Sequence, residues 1–264
     1  MDAPDAGAPK GPKVKAQQIA VISDVHGNTW ALHEVLRDIQ RRGIESIVNL
    51  GDCVYGPLDP AGTAEILMSL NIRTVCGNED RIIYQDHGVE RSNPTLDFVR
   101  SQLNAKHLRW LESLPKTTVA FESFFLCHGT PENDQQYLLT EVNEAGTSQT
   151  QPEKLKRLTA SITQPVILCG HDHKPAVVNL LPDTIIVNPG SVGLQAYDDD
   201  HPLFHVIENE TPHARYGIVT SREGAWRAEY VAVEYDWDKA ASMAAKNGRP
   251  DWAAWLRTGL AATG

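Results

Sequence analysis
Five short stretches of the chain carry side chains that can bind a metal or move a proton. They are Asp24-Val25-His26-Gly27-Asn28, Gly51-Asp52, Gly77-Asn78-Glu79-Asp80, Cys127-His128-Gly129 and Gly170-His171-Asp172-His173. Seven residues in them, Asp24, His26, Asp52, Asn78, His128, His171 and His173, offer a carboxylate oxygen, an amide oxygen or an imidazole nitrogen. Taken singly, a D-x-H or a G-D is common and most often binds nothing. H-x-H is stronger, because two imidazoles two apart on an extended segment or turn reach neighbouring sites. The joint pattern is the informative one: every fragment follows directly on an apolar run. Mixed carboxylate, imidazole and amide donors suit borderline divalent ions such as Mn, Fe, Zn or Ni, whereas Ca or Mg sites would not need four histidines.

The apolar runs must be the elements that position these groups. Ile19 to Ser23 reads as a buried strand, and Gly27 and Asn28 turn the chain into a helix over Trp30 to Arg42 with Leu32, Val35, Leu36 and Ile39 on one face. Ser46–Leu50 and Ile72–Cys76 read as further strands, separated by a helix around Ala61–Leu70. This β-α-β-α-β rhythm predicts a parallel sheet with its ligand-bearing loops on one edge, at the carboxyl ends of the strands. Helices follow over Thr95–Leu103 and Ala105–Leu114, then a hairpin of Thr117–Phe121 and Phe124–Cys127. Beyond it a helix, Pro152–Ser161, precedes six strand-like runs between Val166 and Tyr235. Two helical segments, Asp238–Asn247 and Asp251–Ala261, close the sequence.

The chain has 264 residues and a formal net charge of -10. With 41% hydrophobic and 22% charged residues it can bury a real core, which excludes disorder throughout. The acidic balance argues against a protein that holds nucleic acid by neutralising phosphates. No apolar run approaches the roughly 20 residues of a membrane helix. Four cysteines without a C-x-x-C pair make no disulfide scaffold and point to a reducing, cytoplasmic setting. All four, Cys53, Cys76, Cys127 and Cys169, lie within two residues of a proposed ligand. Met1 to Ala16 has almost nothing to bury and reads as a disordered tail, leaving 17–264 as one domain.

The ordered set D-x-H, G-D, G-N-x-[DE], H and G-H-x-H, from Asp24 to His173, resembles the calcineurin-like metallophosphoesterases. Gly56-Pro57 and Asn188-Pro189-Gly190-Ser191-Val192-Gly193 are similar to segments of the compact prokaryotic phosphodiesterase branch. The resemblance implies an α/β fold, a four-layer α-β-β-α sandwich of two mixed sheets. It implies a dinuclear site at the strand ends, with Asp24, His26 and His173 on one ion, Asn78, His128 and His171 on the other, and Asp52 bridging. The cofactor is then two divalent ions, manganese favoured, that generate a bridging hydroxide and clamp the phosphoryl oxygens. The implied activity is hydrolysis of small phosphodiesters, including cyclic or nucleotide ones. A phosphomonoesterase or protein phosphatase, and a catalytically silent scaffold on the same fold, are the alternatives; a scaffold is expected to have lost ligands.

The sequence departs from the family at Glu79, where the third motif ordinarily has a histidine that protonates the leaving group or holds the phosphate. A carboxylate there favours diesters with less basic leaving groups, and two readings stand: Glu79 points to solvent, or it is a general acid with a raised pKa. Asn78 and Asn28 complete the expected catalytic set, Asn28 either donating to a phosphate oxygen or supporting the turn that opens the first helix. Asp80 is expected to pair with Arg81 or hold its loop. Tyr55 and His201 either line the pocket or, the favoured reading, serve surface or packing; Asp198-Asp199-Asp200 reads as a solvated loop and secondarily as a bar against highly anionic substrates. Trp237, Trp252 and Trp255 in the last two helices serve docking onto the sheet, a cover for the site or a contact between copies.

Overall fold
A computed structural model describes residues 18–85, 93–180, 184–222 and 224–261; the expected tail, Met1 to Ala16, lies outside them. The first half comprises β1 (Gln18–Ile22), α1 (Thr29–Arg41), β2 (Ile47–Asn49), α2 (Pro60–Leu70), β3 (Arg73–Thr74), α3 (Asn78–Tyr84), α4 (Pro94–Gln102), α5 (Ala105–Ser113), β4 (Thr117–Ala120) and β5 (Phe124–Cys127). Then come β6 (Thr140–Asn143), β7 (Gly146–Gln149), α6 (Pro152–Leu158), β8 (Val166–Leu168), β9 (Ala176–Leu180), β10 (Thr184–Asn188), β11 (Ala196–Asp199) and β12 (His205–Glu208). The long strands β13 (Ala214–Arg222) and β14 (Ala225–Val233) lead to α7 (Trp237–Lys246) and α8 (Pro250–Thr258).

Two five-stranded mixed sheets result, ordered β14-β13-β1-β2-β3 and β4-β5-β8-β10-β9. In the first, β1, β2 and β3 run parallel, β13 runs antiparallel to β1, and β14 runs antiparallel to β13. In the second, β5, β8 and β10 run parallel between antiparallel edges. Ile19, Val21, Val48 and Val219 of one sheet share a fully buried cluster with Phe124, Leu126, Val166 and Val187 of the other. That cluster is the apolar seam of a sandwich whose strands are buried on both faces, as parallel strands require. The outer face of the first sheet packs under α1, α2, α7 and α8, through Leu32, Val35, Leu67, Ala240 and Leu256. The outer face of the second meets α6 through Leu155. The four layers expected from the sequence are present.

Three local readings change. The third strand is only Arg73–Thr74: Val75 N still donates to Asn49 O at 3.1 Å, but Cys76 N leaves the sheet for Pro115 O at 2.8 Å. Asn78–Tyr84, read as loop, is a helix, held at its start by Asp80, whose carboxylate accepts from Gly77 N at 3.1 Å. Asp198 and Asp199, expected in a solvated loop, belong to β11, which pairs antiparallel with β12. Among the described residues no helix is long and apolar enough to cross a membrane.

Candidate metal centre
The parallel strands β1, β2, β5 and β8 all end on one rim, and each hands its last apolar residue to a ligand-type side chain. The rim is tightly turned. Asp24, His26, Asp52, His171 and His173 all adopt left-handed backbone, with φ of 54°, 50°, 50°, 74° and 54°. Non-glycine residues adopt this region at a cost, with Asp, Asn and His among the more tolerant. The turns leave no room for side chains at their glycines. A Cβ on Gly77 would sit 2.0 Å from an Asp52 carboxylate oxygen, and one on Gly193 would sit 1.8 Å from the Val25 carbonyl.

The rim brings all seven expected ligands together in two groups. In the first, one donor atom each from Asp24, His26 and His173 lie within 4.8 Å of one another; in the second, Asp52, His128 and His171 do the same. Asp52 also falls within that range of His26 and Glu79, so it stands between the groups. Asn78 joins the second group, its Oδ1 3.0 Å from His128 Nε2, which is itself 3.2 Å from Asp52 Oδ2.

Backbone carbonyls set the ring orientations. His26 Nδ1 donates to Tyr55 O at 3.0 Å, His128 Nδ1 to Leu50 O at 2.8 Å and His173 Nδ1 to Leu194 O at 2.8 Å. A ring that donates through Nδ1 turns the Nε2 lone pair inward, the arrangement that ligating histidines adopt. His26 Nε2 and His173 Nε2 then face each other at 3.0 Å, and Asp24 Oδ1 is fully buried with no hydrogen-bond partner. Lone pairs so close, beside an orphaned carboxylate oxygen, require positive charge between them. Burial opposes charge on His26 and His128. Even so, the acids raise their pKa, Glu79 leading for His26, to about 9, and Asp52 leading for His128, to about 10. Burial and the neighbouring His128 push His171 down to about 4. The residues present therefore fit divalent cations.

Around this cradle the remaining sequence readings resolve. Asp80 is buried and holds the loop, accepting from Cys53 N at 2.8 Å as well as Gly77 N, while Arg81 pairs with Asp134 instead, at 2.8 Å. Asn28, expected among the catalytic residues, is fully buried and its amide is spent. It caps α1 through Ala31 N and donates to Gly193 O and Tyr235 Oη, which makes it a turn-holding residue. Glu79 does not point to solvent. Its Oε2 lies 3.2 Å from His26 Nδ1, the side chain is 26% exposed, and burial lifts its pKa to about 7. Tyr55 is buried and lines the site, and His201, 92% exposed in its side chain, borders the larger of the two cavities that meet here, so for both the pocket-lining reading holds.

Several contributors carried no sequence signal. Tyr137 packs its ring on His171 and Tyr197 on His173, both at 4.7 Å between centroids, and their hydroxyls meet at 2.7 Å. Asp172, between the two ligand histidines, accepts from Thr140 Oγ1 at 2.7 Å and Asn188 Nδ2 at 2.6 Å. Those bonds fix the G-H-D-H turn to the N-P-G-S-V-G segment and to β6. Asp172's place inside the H-x-H motif was the one available hint.

Two cavities meet at the ligand cluster. One, of about 270 Å³, is walled by Tyr55, Glu79, Asp198, Arg249, Trp252 and Trp255. The other, of about 650 Å³, is lined mostly by polar groups, including Asn133, Gln135, Gln136, Thr140 and Lys154. Asn78, Tyr137, His171 and Asp199 border both.

Residues 18–211 match the calcineurin-like phosphoesterase superfamily domain, and with this fold and donor set the chain belongs to that superfamily of metallophosphoesterases. An uncharacterized protein of Methanocaldococcus jannaschii is 27% identical over 248 residues, covering 89% of this chain and 94% of that protein. The crystal structure of a metallophosphoesterase from Sphaerobacter thermophilus is similar at a TM-score of 0.71 and 26% identity, covering 93% of this chain and 100% of that one. A hypothetical protein from Pyrococcus horikoshii OT3 shares the fold at the same TM-score of 0.71 and 18% identity, covering 93% and 99% of the two chains.

Proposed function
We propose that the chain is a metal-dependent phosphodiesterase acting on small phosphodiesters. The observation that carries this reading is the pair of cavities meeting at the ligand cluster, since a phosphodiester needs space for a substituent on each side of phosphorus. A monoester would use only one. Asp24, His26 and His173 would hold one ion and Asn78, His128 and His171 a second, with Asp52 standing between the two groups. The mixed oxygen and nitrogen donors suit Mn, Fe, Zn or Ni, of which manganese is the first choice to test. When bound, the ions supply a nucleophile at neutral pH and positive charge for the phosphoryl oxygens.

The chain's own residues do the rest. Asn78, bordering both cavities, holds a phosphoryl oxygen at their junction. Water's oxygen attaches to phosphorus, giving up a proton to solvent, as the bond to the leaving alkoxy oxygen breaks, and that leaving oxygen takes a proton. Glu79, facing the same cavity, is placed to hand it over. Four buried free cysteines beside the ligand positions support a reducing, cytoplasmic setting.

The test compares bis(4-nitrophenyl) phosphate with 4-nitrophenyl phosphate on protein reconstituted with each metal. A higher kcat/KM on the diester is expected. A preference for the monoester would overturn the reading, and metal binding without turnover of any phosphoester would favour a scaffold.

A further inference from the structure
Arg249, Trp252 and Trp255 come from the start and middle of α8, beyond the 18–211 span that matches the superfamily domain, yet they wall the cavity over His26 and Asp52. This part of the chain is fixed in place. Asn247 Nδ2 donates to Pro57 O at 2.9 Å, tying the α7–α8 turn to the loop that follows Gly51-Asp52. The Trp252 ring meets the His26 ring edge-on, 5.9 Å between centroids. Gly56 gives it room: a Cβ there would lie 3.0 Å from the indole and 2.4 Å from His26 O.

Charge in this cavity is uneven. Asp52, Glu79, Asp198 and Asp199 line it, and Arg249 is the one lysine or arginine among its described lining residues. The guanidinium lies over the Trp252 ring, 5.6 Å from its centroid. It is forked onto Asp251, with Nη2 2.7 Å from Oδ2 and Nε 2.9 Å from Oδ1, and also donates to Thr95 Oγ1. Asp251 is 42% exposed in its side chain, on the solvent side of the pair. A guanidinium fork preset on a carboxylate presents the geometry that also takes a phosphate bidentately. Tyr55, Tyr197 and the tryptophans give the same cavity aromatic faces suited to a ring. Its volume, at the lower end of small-molecule pockets, suits one such arm and not both.

Resting on the phosphodiesterase reading, we propose that Arg249 and the aromatic wall of α8 select the substrate: a phosphodiester with one nucleotide-type arm, an aromatic base on a sugar that bears a second phosphate. Arg249 takes that phosphate by displacing Asp251, the aromatic wall takes the ring, and Asp198 and Asp199 accept from sugar hydroxyls. Asp198 and Asp199, outside the ligand groups, restrict the arm to a single extra anion, because Arg249 is the one lysine or arginine among the described lining residues to meet it.

The test uses the full chain stripped of metal with a chelator, so that no turnover intervenes, and follows tryptophan fluorescence. Two probes are titrated: adenylyl-adenosine, and the same dinucleotide carrying a 5′-phosphate. The wild type should bind the 5′-phosphorylated probe about tenfold more tightly, as one charge-assisted fork supplies. Arg249→Gln should erase that preference and Arg249→Lys should keep part of it. Asp251→Asn, which removes the competing carboxylate, should enlarge it, a gain that misfolding cannot imitate. Equal affinity for the two probes in the wild type, or a preference untouched by both Arg249→Gln and Asp251→Asn, overturns the proposal. Turnover of bis(4-nitrophenyl) phosphate by the metal-loaded wild type reads the parent function separately. A protein that shows the binding preference and hydrolyses no diester would retain this pocket and lose the phosphodiesterase reading.

Discussion

The strand-end cradle and the α8 wall face each other across one cavity and are built in different ways. Asp24, His26, Asp52, His171 and His173 stand on tight left-handed turns, backed by glycines with no room for a Cβ, and three of the four ligand histidines are locked by backbone carbonyls. Arg249, Trp252 and Trp255 stand at the start and middle of an ordinary helix, with Pro250 at its first turn and Gly259 as its left-handed cap. The α7–α8 pair is joined within itself by Arg257 to Asp238 at 2.9 Å, and to the rest by Asn247 Nδ2 to Pro57 O and by backbone bonds from Asn209 N and Glu210 N to Gly259 O. In the cradle a side chain cannot change without moving the backbone. In the wall it can. On the proposed reading, reaction chemistry and substrate choice are thereby separated, the first on the strand-end turns and the second on a helix.

Substitutions on the two sides should separate the same way. The largest effect is expected at Asp52, which stands between both ligand groups. Asp52→Asn should lower turnover of bis(4-nitrophenyl) phosphate by about 10³-fold, the upper range for one electrostatic group. Calorimetric titration with Mn²⁺ should show weakened binding as well, and a wild-type titration curve would remove Asp52 from the shared position. Glu79 comes next, touching both regions. If it protonates the leaving group, Glu79→Gln should cost about 100-fold on an alkyl diester and far less on the activated aryl diester. Equal losses on both substrates, together with weakened metal binding, would show that it acts through His26.

Asp80 tests how far the cradle depends on its backbone supports. Asp80→Ala strands the buried N–H groups of Cys53 and Gly77 and should cost about 2 kcal/mol by urea unfolding. A loss within experimental scatter would mean that the turns hold themselves. The smallest effect is expected on the wall side. Asn247→Ala removes one hydrogen bond, worth about 1 kcal/mol, and should raise KM for nucleotide diesters while leaving the Mn²⁺ titration unmoved. A shift in metal affinity there would show that the two regions are coupled after all.

The cradle was legible in the sequence because its signal is local. Each ligand follows directly on an apolar strand, and the order of strands places the ends together. Asn28 was ambiguous for the same local reason: a turn asparagine can donate outward or cap inward, and only the positions of Gly193 and Tyr235, more than 160 residues away, decide. The hairpin β6–β7 and the strand β11 went unread because their sequences, Thr-Glu-Val-Asn, Gly-Thr-Ser-Gln and Ala-Tyr-Asp-Asp, are polar and carry no buried alternation. The wall was illegible for a different reason. The tryptophans of α8 announce burial, but an apolar helix face does not say which neighbour it covers. Arg249, a charged residue before a proline, announces nothing. Glu79 lay between these cases, its motif position marking it while its contact with His26 could come only from the fold.

The five left-handed ligand positions bear on how such a site persists. At about 1 kcal/mol or more each, they place several kcal/mol of strain on a fold whose net stability is of the order of 5–15 kcal/mol. Glycine at any of them would relieve that strain and forfeit the ligand. Other side chains would keep the strain, Asp and His being among the residues that tolerate this region best, so glycine alone runs downhill in backbone energy and uphill in function. A lineage released from the need to hydrolyse phosphoesters would find in glycine at these positions a relief of backbone strain that costs it only the lost activity.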